Sequence, residues 1–495
     1  MMPRPHTAPM SLSTDPVGPG NRLSGLSRLV LASSVATVTP LTNQIPRRSS
    51  HWRHPTPTAS TTTGLCGAGT NQLRTTPRGY RYGAAMAVVA LSTSIVAACA
   101  DGDETKRVVT ATTVSATTQA RSDPTRLQPD TTAAASDTTV AAATAVADAT
   151  AQLQTVVEEA VRASASIPGL ALHLEAPGRQ LHVSVAAGVA DRATATPLTP
   201  DAVFRIASNT KTFTAATILR LVEQARLVVD ASIADLLAPE TVDALRAGGY
   251  RPDAITVRQV LLHTSGIYNH GQDPAFQAVV EAEPAKRWTR LELVRFAMDH
   301  GDPVGEPGTV YSYSDTGYLL LGEIIERAAG APLADAYRTL LDFEGLHLDA
   351  TYLELLEPAP PGIAARAHQY IGDFDGFDLD PSFDGYGPAG LVSPVDDLST
   401  FYRALLRGDV FTETETLDTM LEIPDSNAES GAGMGIFRID VGGNTCWQHS
   451  GFWGTFVLTC PQIDVTIAAS WAQATYPDFD SESVFRRVLE LTTAR

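Results

Sequence analysis

Apolar and polar residues recur along this chain in two periods, and the points where one gives way to the other outline the architecture. From 151, AQLQTVVEEAVRAS repeats its apolar positions every three or four residues, which predicts a helix. GLALHLE and QLHVSVAAGVA alternate or run apolar over strand lengths and are joined at Pro177-Gly178, a turn signal. Between about 210 and 345 the helical period dominates, in TFTAATILRLVEQARL, WTRLELVRFAMDH and TGYLLLGEIIERAAG. Strand patterns return in GMGIFRIDV, CWQHSGF, TFVLTCP and VTIAASWA, and SESVFRRVLELTTAR closes the chain as a helix. Strands contributed by both ends, with helices inserted between them, predict an α/β fold of the α+β kind. Its parts are an antiparallel sheet flanked by helices and a mainly helical subdomain. The domain is placed at 151–495, with its cleft between the two parts as the expected binding site.

The residues before 151 follow neither period. Residues 100–150 are Thr, Ala, Asp and Ser with almost no large apolar side chain, so they cannot bury enough surface to offset ordering and read as a flexible linker. Upstream, RGYRYGAAMAVVALSTSIVAAC at 78–99 has the basic start and short apolar run of a signal peptide, too short to span a membrane comfortably. Its end, Val96-Ala97-Ala98-Cys99, resembles the bacterial lipobox, which makes Cys99 a lipidation site; the alternative is a signal whose cysteine is incidental. Either reading implies export, to a lipid-anchored or secreted extracytoplasmic state. Residues 1–77 are rich in Pro, Ser, Thr and Arg without sustained periodicity, and read as a disordered leader of doubtful status, compatible with a start codon assigned too far upstream.

Charge narrows the partners. Residues 1–99 hold nine Arg and one acid while the whole chain carries a formal net charge of −19, so the body of the protein is strongly acidic. That excludes a broad basic face for nucleic acid or anionic lipid and leaves a lipid anchor as the only expected membrane contact. Cys446 and Cys460 flank a strand–turn–strand stretch with its turn near Trp453, which would set them opposite each other for a disulfide in an oxidising compartment. A one-residue slip in register would instead leave two free thiols.

Three short motifs carry chemistry. In SNTK at 208–211, Ser208 and Lys211 are i, i+3 neighbours at a helix start, so hydroxyl and amine project from one face. A serine needs a base to take its proton, and the positive end of a helix disfavours a protonated amine beside it. The chain has only three lysines (Lys106, Lys211 and Lys286), against 33 arginines that cannot deprotonate, so a lysine three residues after a serine points to acid–base use. In YSYSD at 311–315, Tyr313 can relay protons once an adjacent ammonium lowers its pKa; taken alone it reads sooner as a loop aromatic packed on the core. In HSG at 449–451, Gly451 would let a substrate backbone approach the strand edge, and His449 could polarise a substrate or bind its carboxylate, or be structural.

Together and in this order the motifs resemble the penicillin-recognising serine hydrolases, which include class C β-lactamases, D-alanyl-D-alanine carboxypeptidases and related esterases. The likeness extends to LLHTSGI at 261–267, EPGTVYSYSDTGYLLLGEIIE at 306–326 and GPAGLVSPVDDL at 387–398. The resemblance implies Ser208 as the acylated nucleophile, Lys211 as its base and Tyr313 as proton relay, with Tyr311 the alternative relay. His449, Ser450 and Gly451 stand at the substrate-binding Lys-Thr-Gly position, and the amides of Ser208 and Phe452 would form the oxyanion hole. One departure is Asp315, where the family's Tyr-x-Asn motif has an amide: an ionised carboxylate cannot donate to a substrate carbonyl. It can hold a protonated Lys211 or bind a substrate amine.

The resemblance implies a peptide or small-molecule substrate: a peptidoglycan stem peptide, an ester or a β-lactam. The order of preference is a carboxypeptidase-like or general serine hydrolase, then an esterase, then a β-lactamase. A different class, a sensor that binds penicillin or cell-wall fragments without turnover, is disfavoured by the intact Ser208, Lys211 and Tyr313. No cofactor is implied and no metal site is read. His263 and His270 fit no metal spacing, and the acidic run GDFDGFDLD, with Asp373, Asp375, Asp378 and Asp380, breaks the calcium-loop pattern at Gly376 and reads as a solvated loop.

Overall fold

A computed structural model describes residues 131–493. The leader 1–77, the signal segment with Cys99 and the linker as far as 130 lie outside the described residues. The first described element, α1 (Thr131–Ala163), begins earlier than expected, so the last part of the presumed linker is helical backbone. Alanine is the strongest helix former, and Val146 and Ala149 reach the core cluster that also takes Leu153, Val156 and Val157.

Next come β1 (Gly169–Ala176), β2 (Leu181–Asp191), β3 (Thr196–Pro197) and β4 (Phe204–Arg205). The helical part follows: α2 (Thr210–Glu223), α3 (Pro239–Ala247), α4 (Val257–Leu261), α5 (Pro274–Ala282), α6 (Arg290–His300), α7 (Asp315–Ala329) and α8 (Leu333–Leu340). Short strands β5 (Tyr352–Leu353), β6 (Tyr370–Ile371), β7 (Phe374–Asp375) and β8 (Leu391–Ser393) lead to α9 (Val395–Arg407) and α10 (Thr414–Leu421). The chain ends in β9 (Phe437–Val441), β10 (Asn444–Gly451), β11 (Thr455–Cys460), β12 (Val465–Ser470) and α11 (Ser481–Thr493).

Seven strands form one antiparallel sheet in the order β3-β2-β1-β12-β11-β10-β9. The two chain ends meet at its centre, where Ala171 of β1 faces Ser470 of β12. Side chains alternate across the strands. Leu170, Leu172 and Leu174 join one core with α1 and with Phe485 of α11. Ala171, Val457 and Ala468 join the second core with Phe401 and Leu405 of α9 and the helical part. This is the expected sheet covered by helices on both faces.

At the centre of the helical part, α2 is buried on nearly every side. Its threonines are satisfied by loops that come close to it. Thr212 Oγ1 donates to Gly435 O at 2.6 Å and Thr214 Oγ1 to Gly387 O at 2.7 Å, so the helix bearing Lys211 fixes the loops around it as well as its own position. At the other side of the site, the β10–β11 hairpin pairs His449 with Val457, and Cys446 and Cys460 face each other and are joined by a disulfide.

Candidate active site

The turn that carries Ser208 is a single 3-10 turn, Ala207–Asn209, running directly into α2. Ala207 has φ +46°, a left-handed conformation uncommon for a residue with a Cβ and a sign of strain held in place by its surroundings. Those surroundings are specific. Asn209 Nδ2 donates to Ile206 O at 2.8 Å and to Thr455 Oγ1 at 3.0 Å, and Thr455 Oγ1 donates to Ile206 O at 3.0 Å, pinning the turn to β11. A Cβ at Gly451 would collide with Ile206 O and Thr455 Oγ1, so the glycine admits the protein's own nucleophile turn.

Lys211 is fully buried. Its Nζ lies 3.1 Å from Ser208 Oγ, 2.6 Å from Asp315 Oδ1 and 2.9 Å from Pro388 O. Burial lowers the pKa of this amine, and the charge and hydrogen bond of Asp315 oppose the shift. The carbonyl of Pro388 can only accept, and so can an ionised Asp315. A neutral Lys211 therefore spends both its N–H groups on them and directs its lone pair at Ser208. The ammonium form has one N–H for each of the three neighbours, so both protonation states are accommodated without rearrangement.

Asp315 begins α7, where Asn269 Oδ1 accepts from its backbone amide at 3.1 Å and Ser314 caps the helix by accepting from Gly317 N. Just before it, the Tyr313 phenol is in hydrogen-bond contact with Ser208. The expected lowering of the Tyr313 pKa by an ammonium does not occur. Burial pushes the phenol well above its ordinary value and the charge of Asp315 adds to that. Lys211 Nζ stands over the ring face, 4.8 Å from its centroid. Tyr313 is therefore a neutral phenol that can donate. Tyr311 packs edge-on to His263.

His263, read in the sequence only as a poor metal ligand, supports this tyrosine. Its ring stacks on Tyr313 at 4.4 Å and on Tyr318 at 4.9 Å, and its Nδ1 accepts from Ser314 N at 3.1 Å. Burial first, then the Lys211 charge, holds it well below the ordinary histidine pKa, so the ring is neutral with its proton on Nε2. Its place in LLHTSGI was the available signal. His270 is likewise spent locally, on Thr316 Oγ1 at 2.9 Å. In the acidic run Asp375 pairs with His368 at 2.6 Å and Asp380 Oδ1 accepts from Ser382 N at 3.0 Å.

The third wall is the end of β10. His449 Nδ1 lies 2.8 Å from Ser450 O, and because a carbonyl only accepts, Nδ1 carries the proton. The pKa of the ring is pulled down to about 3 by burial and by the Lys211 charge. His449 thus has an unprotonated, buried Nε2 that makes no hydrogen bond among the described residues. In that state the free ring nitrogen can only accept a hydrogen bond. Phe452 follows Gly451, with its side chain 54% exposed. Among the described residues neither its amide nor that of Ser208 donates to a backbone carbonyl, as two oxyanion donors should be. Two contributors were not anticipated: the Pro388 carbonyl, and Asp384, whose pKa burial raises to about 7 against the pull of Arg205.

The family profile described as Beta-lactamase matches residues 146–492. The chain is 34% identical over 200 residues to penicillin-binding protein 4 of Amycolatopsis lactamdurans, covering 40% of this chain and 48% of that protein. It is 31% identical over 201 residues to esterase EstB of Burkholderia gladioli, covering 39% and 48%. The chain spans about half the length of these curated relatives. Among solved structures, it is similar to a D-stereospecific amidohydrolase from Streptomyces sp., with 28% identity, a TM-score of 0.59, and coverage of 70% of this chain and 98% of that one. It is also similar to the D-amino acid amidase of Ochrobactrum anthropi SV3, with 25% identity, a TM-score of 0.57, and coverage of 70% and 99%.

Proposed function

This chain belongs to the beta-lactamase family, and on that premise we propose that it is a serine hydrolase that cleaves small amides or esters through an acyl-enzyme on Ser208. The observation that carries the reading is the environment of Lys211 Nζ, which has Ser208 Oγ at 3.1 Å and two acceptors that orient its lone pair. Neutral Lys211 takes the Ser208 proton as Oγ bonds to the substrate carbonyl carbon, and the amides of Ser208 and Phe452 receive the oxyanion. Collapse breaks the bond to the leaving amine or alcohol, which receives its proton from the Tyr313 phenol, itself reprotonated from Lys211. Water then attacks the acyl carbon by the same path in reverse, its proton passing through Tyr313 to Lys211 and on to Ser208 Oγ as the ester bond breaks and the acid leaves.

The charges favour substrates without a carboxylate at the His449 edge. His449 is neutral there, and one lysine faces Asp315 with Asp384 nearby, so neutral or amine-bearing substrates fit better than anions. The similarity to a D-stereospecific amidohydrolase and to a D-amino acid amidase supports the same choice. A D-alanyl-D-alanine carboxypeptidase-like activity is the second reading, supported by the penicillin-binding relative. We also propose export with lipid attachment at Cys99, which rests on the lipobox-like sequence alone.

The test is labelling of the full chain and of Ser208→Ala with a fluorophosphonate and a fluorescent penicillin, alongside turnover of D-amino acid amides, a nitrophenyl ester and a D-alanyl-D-alanine peptide. Labelling lost in the variant, with amides or esters turned over faster than the peptide, is expected. Faster peptide cleavage would install the second reading, and a stable penicillin adduct without turnover would make the protein a sensor. Well-folded protein that neither reagent labels would overturn the serine mechanism.

A further inference from the structure

The first hairpin carries a group of ligand atoms that the catalytic site does not use. His173 and Glu175 are two residues apart on β1 and share one face of the strand. On β2, His182 stands directly opposite Glu175, and Ser184 stands opposite His173. His173 Nε2 is 3.5 Å from Glu175 Oε2, and His182 Nδ1 is hydrogen-bonded to the same oxygen. His173 Nδ1 is held by Ser184 Oγ at 2.8 Å, the outer hydrogen bond that a metal-binding imidazole ordinarily needs to fix its ring. The three ligand atoms lie within 4.8 Å of one another, and among the described residues this is the one group of three histidine, cysteine or carboxylate side chains so placed.

We propose that His173 Nε2, Glu175 Oε2 and His182 Nδ1 form a binding site for a divalent transition-metal cation, with zinc the best fit. Zinc binds imidazole and carboxylate at about 2.0–2.2 Å, which puts tetrahedral neighbours about 3.4 Å apart. The His173–Glu175 separation of 3.5 Å already matches that edge. Closing the remaining span falls to His182, whose side chain is 69% exposed and which would exchange its hydrogen bond to Glu175 for a metal shared with it. The buried His173 and the strand register supply the rigid half of the site. Two imidazoles and one carboxylate favour zinc, cobalt or nickel over calcium or magnesium, which prefer sites made of oxygen alone. Bound metal would clamp β1 to β2 beside their turn and stabilise the fold by mass action.

The test is titration of the chelator-treated full chain at pH 7.5 with Co2+, read by its visible absorption, and with Zn2+, read by the thermal midpoint. Expected are one equivalent bound, the intense bands of a low-coordinate cobalt site and a midpoint that rises with Zn2+. Ser208→Ala should bind as the unaltered chain does, whereas His182→Gln and Glu175→Gln should each weaken binding at least tenfold. His182 is exposed, so its variant keeps the fold even if Glu175→Gln does not. No uptake, or uptake that both variants leave unchanged, would overturn the proposal.

Discussion

Lys211 Nζ lies nearer to Asp315 Oδ1, at 2.6 Å, than to Ser208 Oγ, at 3.1 Å. The carboxylate that orients the amine also raises its proton affinity, while burial lowers it and prevails. Replacing Asp315 by Asn removes the opposing influence, so the amine becomes neutral at lower pH. The acid limb of kcat/KM for a neutral ester should then move to lower pH in Asp315→Asn. An unmoved limb would show that Lys211 is not the titrating base.

Lys211 itself separates acid–base function from packing. Lys211→Met fills similar space without a base, and Lys211→Arg keeps a charge that cannot be shed. Both should lower the rate of fluorophosphonate labelling by about 10²–10⁴-fold, the usual size of such catalysis. Circular dichroism should show folded protein in each. Near-normal labelling of Lys211→Arg would remove the lysine from its proposed role.

His263 acts through Tyr313. Substituting Leu leaves the Ser314 amide without its acceptor, at a cost of about 1–3 kcal/mol for a buried donor, and removes the ring that stacks on the phenol. Urea denaturation should show that loss. Ester turnover should show a lower kcat with little change in KM, since a merely structural residue would alter stability without this split.

The buried histidines make stability depend on pH. His270 and His449 have folded pKa values of about 4 and about 3, below the ordinary 6.5. The unfolded chain therefore binds more protons than the folded one below about pH 6.5, and these groups lose stability for the fold as pH falls from there towards 3. Asp384 and Asp397, raised to about 7 and about 6, act in the opposite sense. Urea midpoints between pH 7 and 4 should fall less steeply in His449→Asn than in the unaltered chain; an equal slope would mean that His449 is not neutral in the fold.

The disulfide closes a loop with a sequence separation of 14. A loop of that length gives about 3 kcal/mol of stabilisation in the chain-entropy model. The double variant Cys446→Ala, Cys460→Ala should lose a comparable amount in urea denaturation. Turnover should also fall, because the hairpin carries His449 and the Phe452 amide. Unchanged stability would place the bond outside the energetics of the fold.

Much of this was legible in the residues. Periodicity located the strands at both chain ends and the helices between them, because one face of each element is apolar and the other is not. Ser208 and Lys211 were readable as a pair because their i, i+3 spacing keeps them at one helix start, whereas Tyr313 sits on a separate loop before α7 and was singled out through the family resemblance. Other features depend on contacts between distant segments and leave no local pattern. The Pro388 carbonyl reaches Lys211 only because Thr214 holds Gly387 against α2. The neutrality of His449 and Tyr313 comes from burial that no single segment reveals. Gly451 was singled out for a substrate's approach, and its close contact with Ile206 and Thr455 is a second reason for glycine that no local pattern shows. The early start of α1 was missed because a run of alanine and threonine carries no apolar period to mark it as helix.

The position of β12 has a consequence for synthesis. It lies between β1 and β11, so among the described strands the one at the middle of the sheet is made after all the others. A nascent chain that stops short of Val465 already contains Ser208, Lys211, Tyr313, Asp315 and His449 but lacks the element that joins the first hairpin to the last. Loop closure between such distant partners is slow, and a late frameshift or premature stop would yield all the reactive side chains and no enzyme.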